Sequence, residues 1–258
     1  MIDLDGLLAT GCESTARIGI GVKGKALSQT TDALGRRGCR VELVGFDDPV
    51  SLCEDLRRGR LGAGVRGALS SLDTLEAVRS LFGVGTIMRT AFLATSTDKP
   101  FMLTPVGVDE GRTMAERLDL VRATVAYLEP TGWRPTIGVL SCGRWDDVGR
   151  GEHIRRSVEE GGDMVSRLSD EGLRARHHYI LIEEAVEESD LVVAPDGIAG
   201  NLMFRALHFV GSGRALGAPV VNLPSVFVDT SRAKADYSES VLVAAGLAEL
   251  GCGVKNRA

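Results

Sequence analysis

Short runs of apolar residues alternate along the chain with longer segments in which apolar residues recur every three or four positions. An apolar run bounded by glycine or polar residues predicts a β-strand, and the three-to-four spacing predicts an amphipathic helix. The predicted strands cover residues 16–22, 39–44, 101–104, 136–140, 179–182, 190–194, 219–221 and 226–228. The predicted helices cover residues 25–37, 73–81, 114–128, 152–169, 183–188 and 238–250. This alternation is typical of βαβ units and predicts an α/β fold with largely parallel strands.

The helix predicted over residues 114–128 shows the clearest pattern. Its apolar residues lie at steps of three and four, namely Met114, Leu118, Val121, Val125 and Leu128. A stripe of this width predicts a helix face that is buried in a core. Pro130 and Gly132 follow and are expected to end the helix.

Composition narrows the class of protein. The 258 residues are 44% hydrophobic and 25% charged, which is enough to bury one large domain or two smaller lobes. The formal charge of −5 disfavours binding to nucleic acid, because phosphate backbones are bound by an excess of Lys and Arg. No apolar run approaches the roughly 20 residues that span a bilayer, and the first residues lack the layout of a signal peptide. We therefore expect a cytoplasmic protein that binds neither nucleic acid nor membrane.

The five cysteines are far apart in the sequence, at Cys12, Cys39, Cys53, Cys142 and Cys252. They form no C-x-x-C pair, and no histidine stands at a zinc-ligand spacing from them. We therefore expect neither structural zinc nor a disulfide framework. Small buried hydrophobic side chains in a reducing compartment are the favoured interpretation over a reactive thiol.

Gly19, Gly21 and Gly24 match the G-x-G-x-x-G pattern of dinucleotide-binding loops, and two aspartates follow at 47–48. However, apolar residues alternate with these glycines over 18–22, as though a strand ran through them. A phosphate loop needs a strand that ends before its first glycine. The pattern therefore favours a glycine-containing strand in a crowded sheet over a nucleotide site.

Residues 189–207 contain the most informative pattern. They predict a buried strand, a tight turn and a helix that opens at Gly200 and Asn201. The free N–H groups and the positive dipole end of such a helix suit a phosphate or another anion. Asn201 could cap the helix or bind a ligand, and capping is the commoner role.

Six short motifs occur in a fixed order along the chain. They are Val65-Arg66-Gly67-Ala68, Arg89-Thr90-Ala91, Gly107 to Glu110, Ile137 to Ser141, Asp196 to Asn201, and Thr230-Ser231-Arg232-Ala233. In this order they resemble motifs of the phosphate acetyl and butyryl transferases. The fifth is also similar to the D-G-F-x-G-N of the transacylase that forms acyl-phosphates in phospholipid synthesis. The resemblance runs from about Ile18 to Leu250, and the chain is identified as a member of the methanogenesis marker protein 4, or methyltransferase-related MtxX, family of this superfamily.

This resemblance implies a two-lobed isopropylmalate dehydrogenase-like (phosphate acyltransferase) fold with largely parallel sheets. The first lobe is expected over residues 1–104 and 220–258, and the second over residues 105–219, with a cleft between them. Relatives of this fold pair through the middle lobe, so a homodimer is the expectation by analogy.

The resemblance also implies roles for individual residues. Among the candidate catalytic residues, Ser231 would bond the reacting carbonyl, Arg232 would bind the phosphate, and Asp236 would deprotonate a thiol. The candidate ligand-binding residues are Asp196, Gly200, Asn201, Arg205, Arg66 and Arg89. The candidate substrates are an acyl-phosphate and an acyl thioester such as acyl-CoA, and no metal is expected. Arg205 stands where the relatives have lysine, and Glu239 is a second candidate for the acid.

Two further functions remain open. The first is an accessory or binding subunit of a corrinoid or pterin methyltransferase system in methanogen one-carbon metabolism, which the family resemblance suggests. The second is a dehydrogenase of the isopropylmalate type, but the late helices lack the cluster of metal-binding aspartates that such an enzyme needs.

His177 and His178 are adjacent, and adjacent residues on a strand point to opposite faces. The pair therefore cannot readily share a metal ion. Solvated or capped histidines are the favoured interpretation over a catalytic base.

Overall fold

The computed structural model describes residues 3–232 and 236–253, which form two compact units. The first unit consists of Asp3–Ile87, Tyr127–Gly132 and the described part of Leu216–Ala258. The second unit consists of Met88–Ala126 and Trp133–Ala215. The sequence analysis set a lobe boundary after residue 104, whereas the structure groups residues 88–104 with the second unit. No helix in the described ranges has both the length and the apolar character to cross a membrane.

Helices and strands alternate along most of the described chain. The helices are α1 (Leu4–Glu13), α2 (Gly24–Arg36), α3 (Pro49–Arg57), α4 (Ser71–Phe82), α5 (Met114–Leu128), α6 (Glu152–Asp170), α7 (Ile182–Glu188), α8 (Gly197–Arg205) and α9 (Ser238–Glu249). The strands are β1 (Arg17–Ile20), β2 (Glu42–Gly45), β3 (Ala63–Val65), β4 (Ala91–Ala94), β5 (Pro100–Thr104), β6 (Ile137–Leu140), β7 (Ala175–Tyr179), β8 (Leu191–Val193), β9 (Arg214–Pro219) and β10 (Val226–Asp229). Short 3-10 helices span Glu129–Thr131 and Trp145–Arg150, and a π-helical turn spans Ala206–Val210.

The sheet of the first unit has the strand order β2-β1-β3-β10-β9. Its first four strands run parallel, and β9 pairs antiparallel with β10. Helices α3 and α4 pack on one face of this sheet. Leu52 and Leu56 of α3, Val78 of α4 and Phe227 of β10 belong to one hydrophobic core. Helix α9 is buried along almost its whole length and packs against α1. Because both faces are covered, the central strands consist almost entirely of apolar residues and glycine.

The sheet of the second unit has the strand order β4-β5-β8-β6-β7. Strands β5, β8, β6 and β7 run parallel, and β4 pairs antiparallel with β5. The carboxyl ends of β5, β8 and β6 therefore meet at one edge of this sheet. That edge is formed by the loop after β5, the start of α8 and the residues after β6.

Several predictions from the sequence are confirmed. The α/β class, the largely parallel strands and most helix positions are as expected. In α5, Leu118, Val121 and Leu128 are buried as the apolar stripe predicted. Strand β1 includes Gly19, and a side chain at Gly21 would overlap the carbonyl of Arg66. The glycine pattern therefore reflects crowding in the sheet, as the sequence favoured.

Other predictions were wrong. The strand expected at 179–182 lies earlier, at Ala175–Tyr179, because β7 is an edge strand of polar residues that lacks an apolar run. The helix expected to open at Gly200 begins at Gly197. The pattern also missed α1, α3 and the strands β3, β4 and much of β9.

The expectation of no disulfide was also wrong. Cys12 and Cys39 form a disulfide, with their Cα atoms 4.4 Å apart. Parallel pairing of β1 with β2 brings the end of α1 beside the residues before β2, where the N–H of Arg40 donates to the carbonyl of Cys12 at 2.9 Å. Cys53 and Cys252 are the buried free thiols that the sequence predicted, whereas Cys142 is exposed.

Candidate functional site

Two of the six motifs meet in the first unit, where β3 and β10 end side by side. Arg66 follows β3, and its backbone N–H donates to the carbonyl of Val228 at 3.0 Å. Its buried guanidinium donates to the carboxylate of Asp229 and to the carbonyl of Thr230. The Thr230 hydroxyl donates to the carbonyl of Gly67 at 3.0 Å. These bonds fix the end of β10 to the turn after β3.

Ser231 and Arg232 come directly after this fixed point. Ser231 is half-buried, and Arg232 is exposed. Carboxyl ends of parallel strands are where α/β proteins usually bind ligands. The buried pair of Arg66 and Asp229 holds the backbone from which Ser231 and Arg232 extend. Ala233, the last residue of the motif, lies outside the described residues.

Asp236 lies at the start of α9. Its two carboxylate oxygens accept hydrogen bonds from the backbone N–H of Ser238 at 2.8 Å and from the Ser238 hydroxyl at 2.9 Å. The carboxylate is exposed, so it is accessible from solvent while it holds Ser238, the first residue of α9. The next residue, Tyr237, is 1% exposed, and burial raises the pKa of its hydroxyl while the charge of Arg66 opposes that rise.

A second group of motif residues meets in the second unit. The Nε of Arg89 donates to Glu110 at 2.6 Å, and the other oxygen of Glu110 accepts the N–H of Gly107 at 3.1 Å. Burial raises the pKa of Glu110, and the Arg89 charge opposes that rise. The charge of Arg89, which the sequence analysis assigned to a ligand anion, is thus directed at a carboxylate of the protein.

The start of α8 lies beside this ion pair. Asp196 caps the helix by accepting the N–H of Ala199 at 2.8 Å, and the N–H of Gly197 donates to the carbonyl of Glu110 at 3.0 Å. The N–H of Gly200 donates to the carbonyl of Asp196, so Gly200 is inside the helix and offers no free N–H to an anion. A side chain at Gly200 would overlap the carbonyl of Pro105. Close packing against the loop after β5 explains this glycine.

Asn201 and Arg205 have roles in the structure that the sequence did not predict. The side-chain amide of Asn201 donates to the carbonyl of Val106 at 2.9 Å and ties α8 to the loop after β5. It therefore does not cap the helix. Arg205 is exposed in the last turn of α8, with its guanidinium 5.1 Å from the centre of the Phe209 ring. The nine residues of α8 place it about 12 Å along the axis from the helix start.

The two histidines lie on β7 as adjacent residues. The Nε2 of His177 is 2.9 Å from the hydroxyl of Ser141, and the ring stacks on Tyr179. His178 is 2% exposed, with Nε2 3.4 Å from the Ser189 hydroxyl and no partner for Nδ1 within the described chain. Burial lowers the pKa of both rings. The sequence favoured solvated or capped histidines; His177 is half-buried and His178 is buried, and each ring has a serine hydroxyl within hydrogen-bond distance.

Similarity to known proteins assigns the family. The chain is 38% identical over 214 residues to a Methanosarcina mazei protein with the provisional name methyltransferase mtx subunit X, covering 83% of this chain and 76% of that protein. The chain belongs to the methyltransferase mtx subunit X family. An uncharacterized methyltransferase of Methanopyrus kandleri is also 38% identical, over 215 residues that cover 81% of this chain and 84% of that protein. No family model matches the chain.

Solved structures share the fold of this mtx subunit X family member. A branched-chain phosphotransacylase from Enterococcus faecalis V583 matches with a TM-score of 0.67 at 17% identity, covering 91% of this chain and 98% of that chain. A phosphotransacetylase from Streptococcus pyogenes matches with a TM-score of 0.65 at 14% identity, covering 96% of this chain and 100% of that chain. The phosphate acyltransferase fold predicted from the motifs is confirmed.

The sequence analysis of this family member missed one buried cation, Arg117 of α5. It is 6% exposed and donates to the carbonyl of Pro195 at 2.6 Å, just before the start of α8, while its other terminal nitrogen lies 2.5 Å from Glu160. The available signal was a charged residue one position before Leu118 on the apolar face of α5. Among the described residues, no group of three or more His, Cys, Asp or Glu side chains could hold a metal ion.

Proposed function

We propose that this protein is a group transferase of the phosphate acyltransferase type, which acts on an acyl-phosphate or an acyl thioester. One observation supports the proposal most directly: Ser231 and the exposed cation Arg232 follow β10 at the point that the buried pair of Arg66 and Asp229 holds in place. A cation that follows a strand end suits a phosphate, and the fold is one that phosphotransacylases use.

In the proposed reaction, a thiolate attacks the carbonyl carbon of an acyl-phosphate. The new C–S bond forms, the C–O bond to phosphate breaks, and phosphate leaves with the electron pair. Arg232 binds the phosphate, and the Ser231 hydroxyl donates to the oxyanion that develops on the carbonyl oxygen. Asp236 takes the thiol proton on a lone pair that its two hydrogen bonds with Ser238 leave free.

The charges of the second unit are arranged differently from what the motifs alone implied. Asp196 places a carboxylate at the start of α8, and Glu110 neutralises Arg89. A negative charge at a helix start repels an anion, so we assign the phosphate to Arg232 instead. Arg205 and Gly200 have no direct ligand contact in this proposal, and Asn201 positions the loop after β5.

The test is phosphate-dependent release of CoA from a panel of short acyl-CoAs. The wild-type protein should turn over at least one of them, and Arg232→Gln should reduce kcat/KM by about 100-fold or more. Ser231→Ala should reduce kcat more than it changes KM. Arg36→Gln serves as the control, because Arg36 is an exposed arginine of α2 in the same unit. If the folded protein turns over none of the acyl-CoAs in the panel, the proposal is refuted.

A second candidate is an accessory subunit of a methyltransferase, which the name of the relatives suggests. One observation favours it: Arg66 and Arg89, which the motifs assign to substrate, face Asp229 and Glu110 in ion pairs instead. This candidate predicts that the tagged protein, purified from cells that produce it, retains a corrinoid or pterin methyltransferase and lacks acyl transfer. Sedimentation of the purified chain alone tests the expected homodimer.

A further inference from the structure

A cavity of about 330 Å³ lies in the first unit, away from the residues of the proposed transferase site. Its walls combine polar and apolar surface in about equal measure, and the apolar part includes Leu56, Leu61, Phe82, Val226 and Ala248. The cavity lies at the amino ends of β3 and β10. Arg66 and Ser231 come after the opposite, carboxyl ends of these two strands. Four residues of strand separate the two ends, which corresponds to about 13 Å.

Among the described residues that line this cavity, one is a cation. Arg57, in the last turn of α3, is exposed and has no ion-pair partner within the described chain. The arginines that follow it differ in this respect, because Arg58 pairs with Glu54 at 2.9 Å and Arg60 pairs with Asp55 at 2.9 Å. The other lining group that could ionise, the Cys252 thiol, stays neutral because burial raises its pKa to about 12.

The helix ends around the cavity determine the orientation of a ligand. Helices α3, α4 and α9 all end at its wall, with Arg57, Phe82 and Ala248 in their last turns. Helix carboxyl ends carry partial negative charge, which disfavours an anion deep inside the cavity. A ligand anion is therefore stable only at the mouth beside Arg57, with its apolar part directed inward.

We propose that this cavity binds a small amphiphilic monoanion, a carboxylate with an unbranched apolar chain, independently of the transferase site. The volume lies at the small end of known ligand sites, and at about 30 Å³ per water-sized group it holds roughly ten non-hydrogen atoms. The carboxylate pairs with Arg57, and the chain packs on the leucines and Phe82.

Calorimetric titration with hexanoate tests the proposal, with hexylammonium and 1-hexanol as probes of head-group charge. Hexanoate should bind the wild-type protein, hexylammonium should not, and hexanol should bind more weakly. Arg57→Gln should weaken hexanoate binding by about tenfold or more, whereas Arg58→Gln, the matched neighbour outside the lining, should change it by less than about twofold. Equal binding by these two variants, or no binding of hexanoate to the wild-type protein up to about 10 mM, would overturn the proposal.

Two further measurements locate the site. Ala248→Phe fills the cavity and should abolish hexanoate binding while far-ultraviolet circular dichroism remains unchanged. Hydrogen exchange with hexanoate present should slow at residues 56–62 and 224–226. Protection confined to residues around Arg66 and Ser231, or loss of binding in Arg232→Gln, would assign the carboxylate to the transferase site and refute this inference. Failure of acyl transfer leaves these outcomes unchanged, so the two proposals fail separately.

Discussion

Arg89 and Glu110 form a buried ion pair with 2.6 Å between the guanidinium Nε and the carboxylate Oε1, and they are 7% and 2% exposed. The pair joins the segment before β4 to the loop after β5. The backbone carbonyl of Glu110 also accepts the N–H of Gly197, so the same residue fixes the start of α8. Glu110 thus determines where one candidate binding element lies.

Removing Arg89 should destabilise the protein strongly. Arg89→Met leaves a carboxylate buried without its cation, and we expect a loss of about 3–5 kcal/mol in the free energy of unfolding, measured by urea denaturation. The double variant with Glu110→Leu should recover most of that loss, because it removes the unpaired charge. Arg17→Gln breaks an exposed pair with Glu42 and should cost less than about 1 kcal/mol. A loss of that small size for Arg89→Met would show that water reaches Glu110.

Part of the fold could be predicted because it depends on local pattern. The stripe of α5 predicted its buried face, and the alternation through Gly19 predicted a strand in place of a phosphate loop. Strand β7 was predicted at the wrong residues because an edge strand needs no apolar run. The start of α8 was missed although Asp196 followed by Gly197 has the character of an N-cap, so an available signal was given too little weight.

The interactions of the site residues could not be predicted in the same way. Arg66 and Asp229 are 163 residues apart in the sequence, and only the parallel pairing of β3 with β10 brings them together. The sequence identified Arg66 as a cation near the site but did not reveal its carboxylate partner. The Cys12–Cys39 disulfide was missed for the same reason, since its two residues meet only through the pairing of β1 with β2.

Arg117 should control the order of the segment that begins α8. Arg117→Met removes the hydrogen bond to the carbonyl of Pro195 and the ion pair with Glu160, and we expect a loss of about 2–3 kcal/mol in stability. Hydrogen exchange should accelerate at residues 196–200 more than elsewhere. Arg122→Met is the matched control on the same helix, because Arg122 is exposed and should change stability by about 0.5 kcal/mol. Uniform acceleration throughout the chain would contradict a local role for Arg117.

The disulfide between Cys12 and Cys39 should stabilise the first unit. It closes a loop with a sequence separation of 27 residues, for which loop-closure entropy corresponds to about 3.5 kcal/mol. Cys12→Ser and Cys39→Ser should each lower the melting temperature, and a dithiol reductant should lower that of the wild-type protein to the same value. Cys142→Ser should have no effect, because Cys142 is free and exposed. If the reductant leaves the melting temperature of the wild-type protein unchanged, the bond is absent or does not stabilise the fold.

His178 should make stability depend on pH in the mildly acidic range. Burial lowers its pKa in the folded protein, while in the unfolded chain the ring keeps its ordinary pKa near 6.5. Between the two values the unfolded chain binds more protons, so the free energy of unfolding falls as pH falls below about 6.5, by at most about 1.4 kcal/mol per pH unit for one group. Glu188 and Glu184 oppose the shift, and Arg176 reinforces it.

The measurement is urea denaturation at intervals between pH 7 and pH 5. His178→Asn should flatten the pH dependence, whatever it does to stability at pH 7, because the variant has no group to protonate at this buried position. His177, whose pKa is also lowered by burial, adds to the slope, and Glu110, whose pKa is raised by burial, opposes it. His153→Asn removes the exposed histidine of α6 and should preserve the wild-type slope, because the folded structure does not bury this ring. The contrary outcome is a pH dependence of stability in His178→Asn equal to that of the wild-type protein. It would mean that the buried ring is already protonated in the folded protein at pH 5. The missing partner of its Nδ1 argues against this, because a buried charge needs a partner.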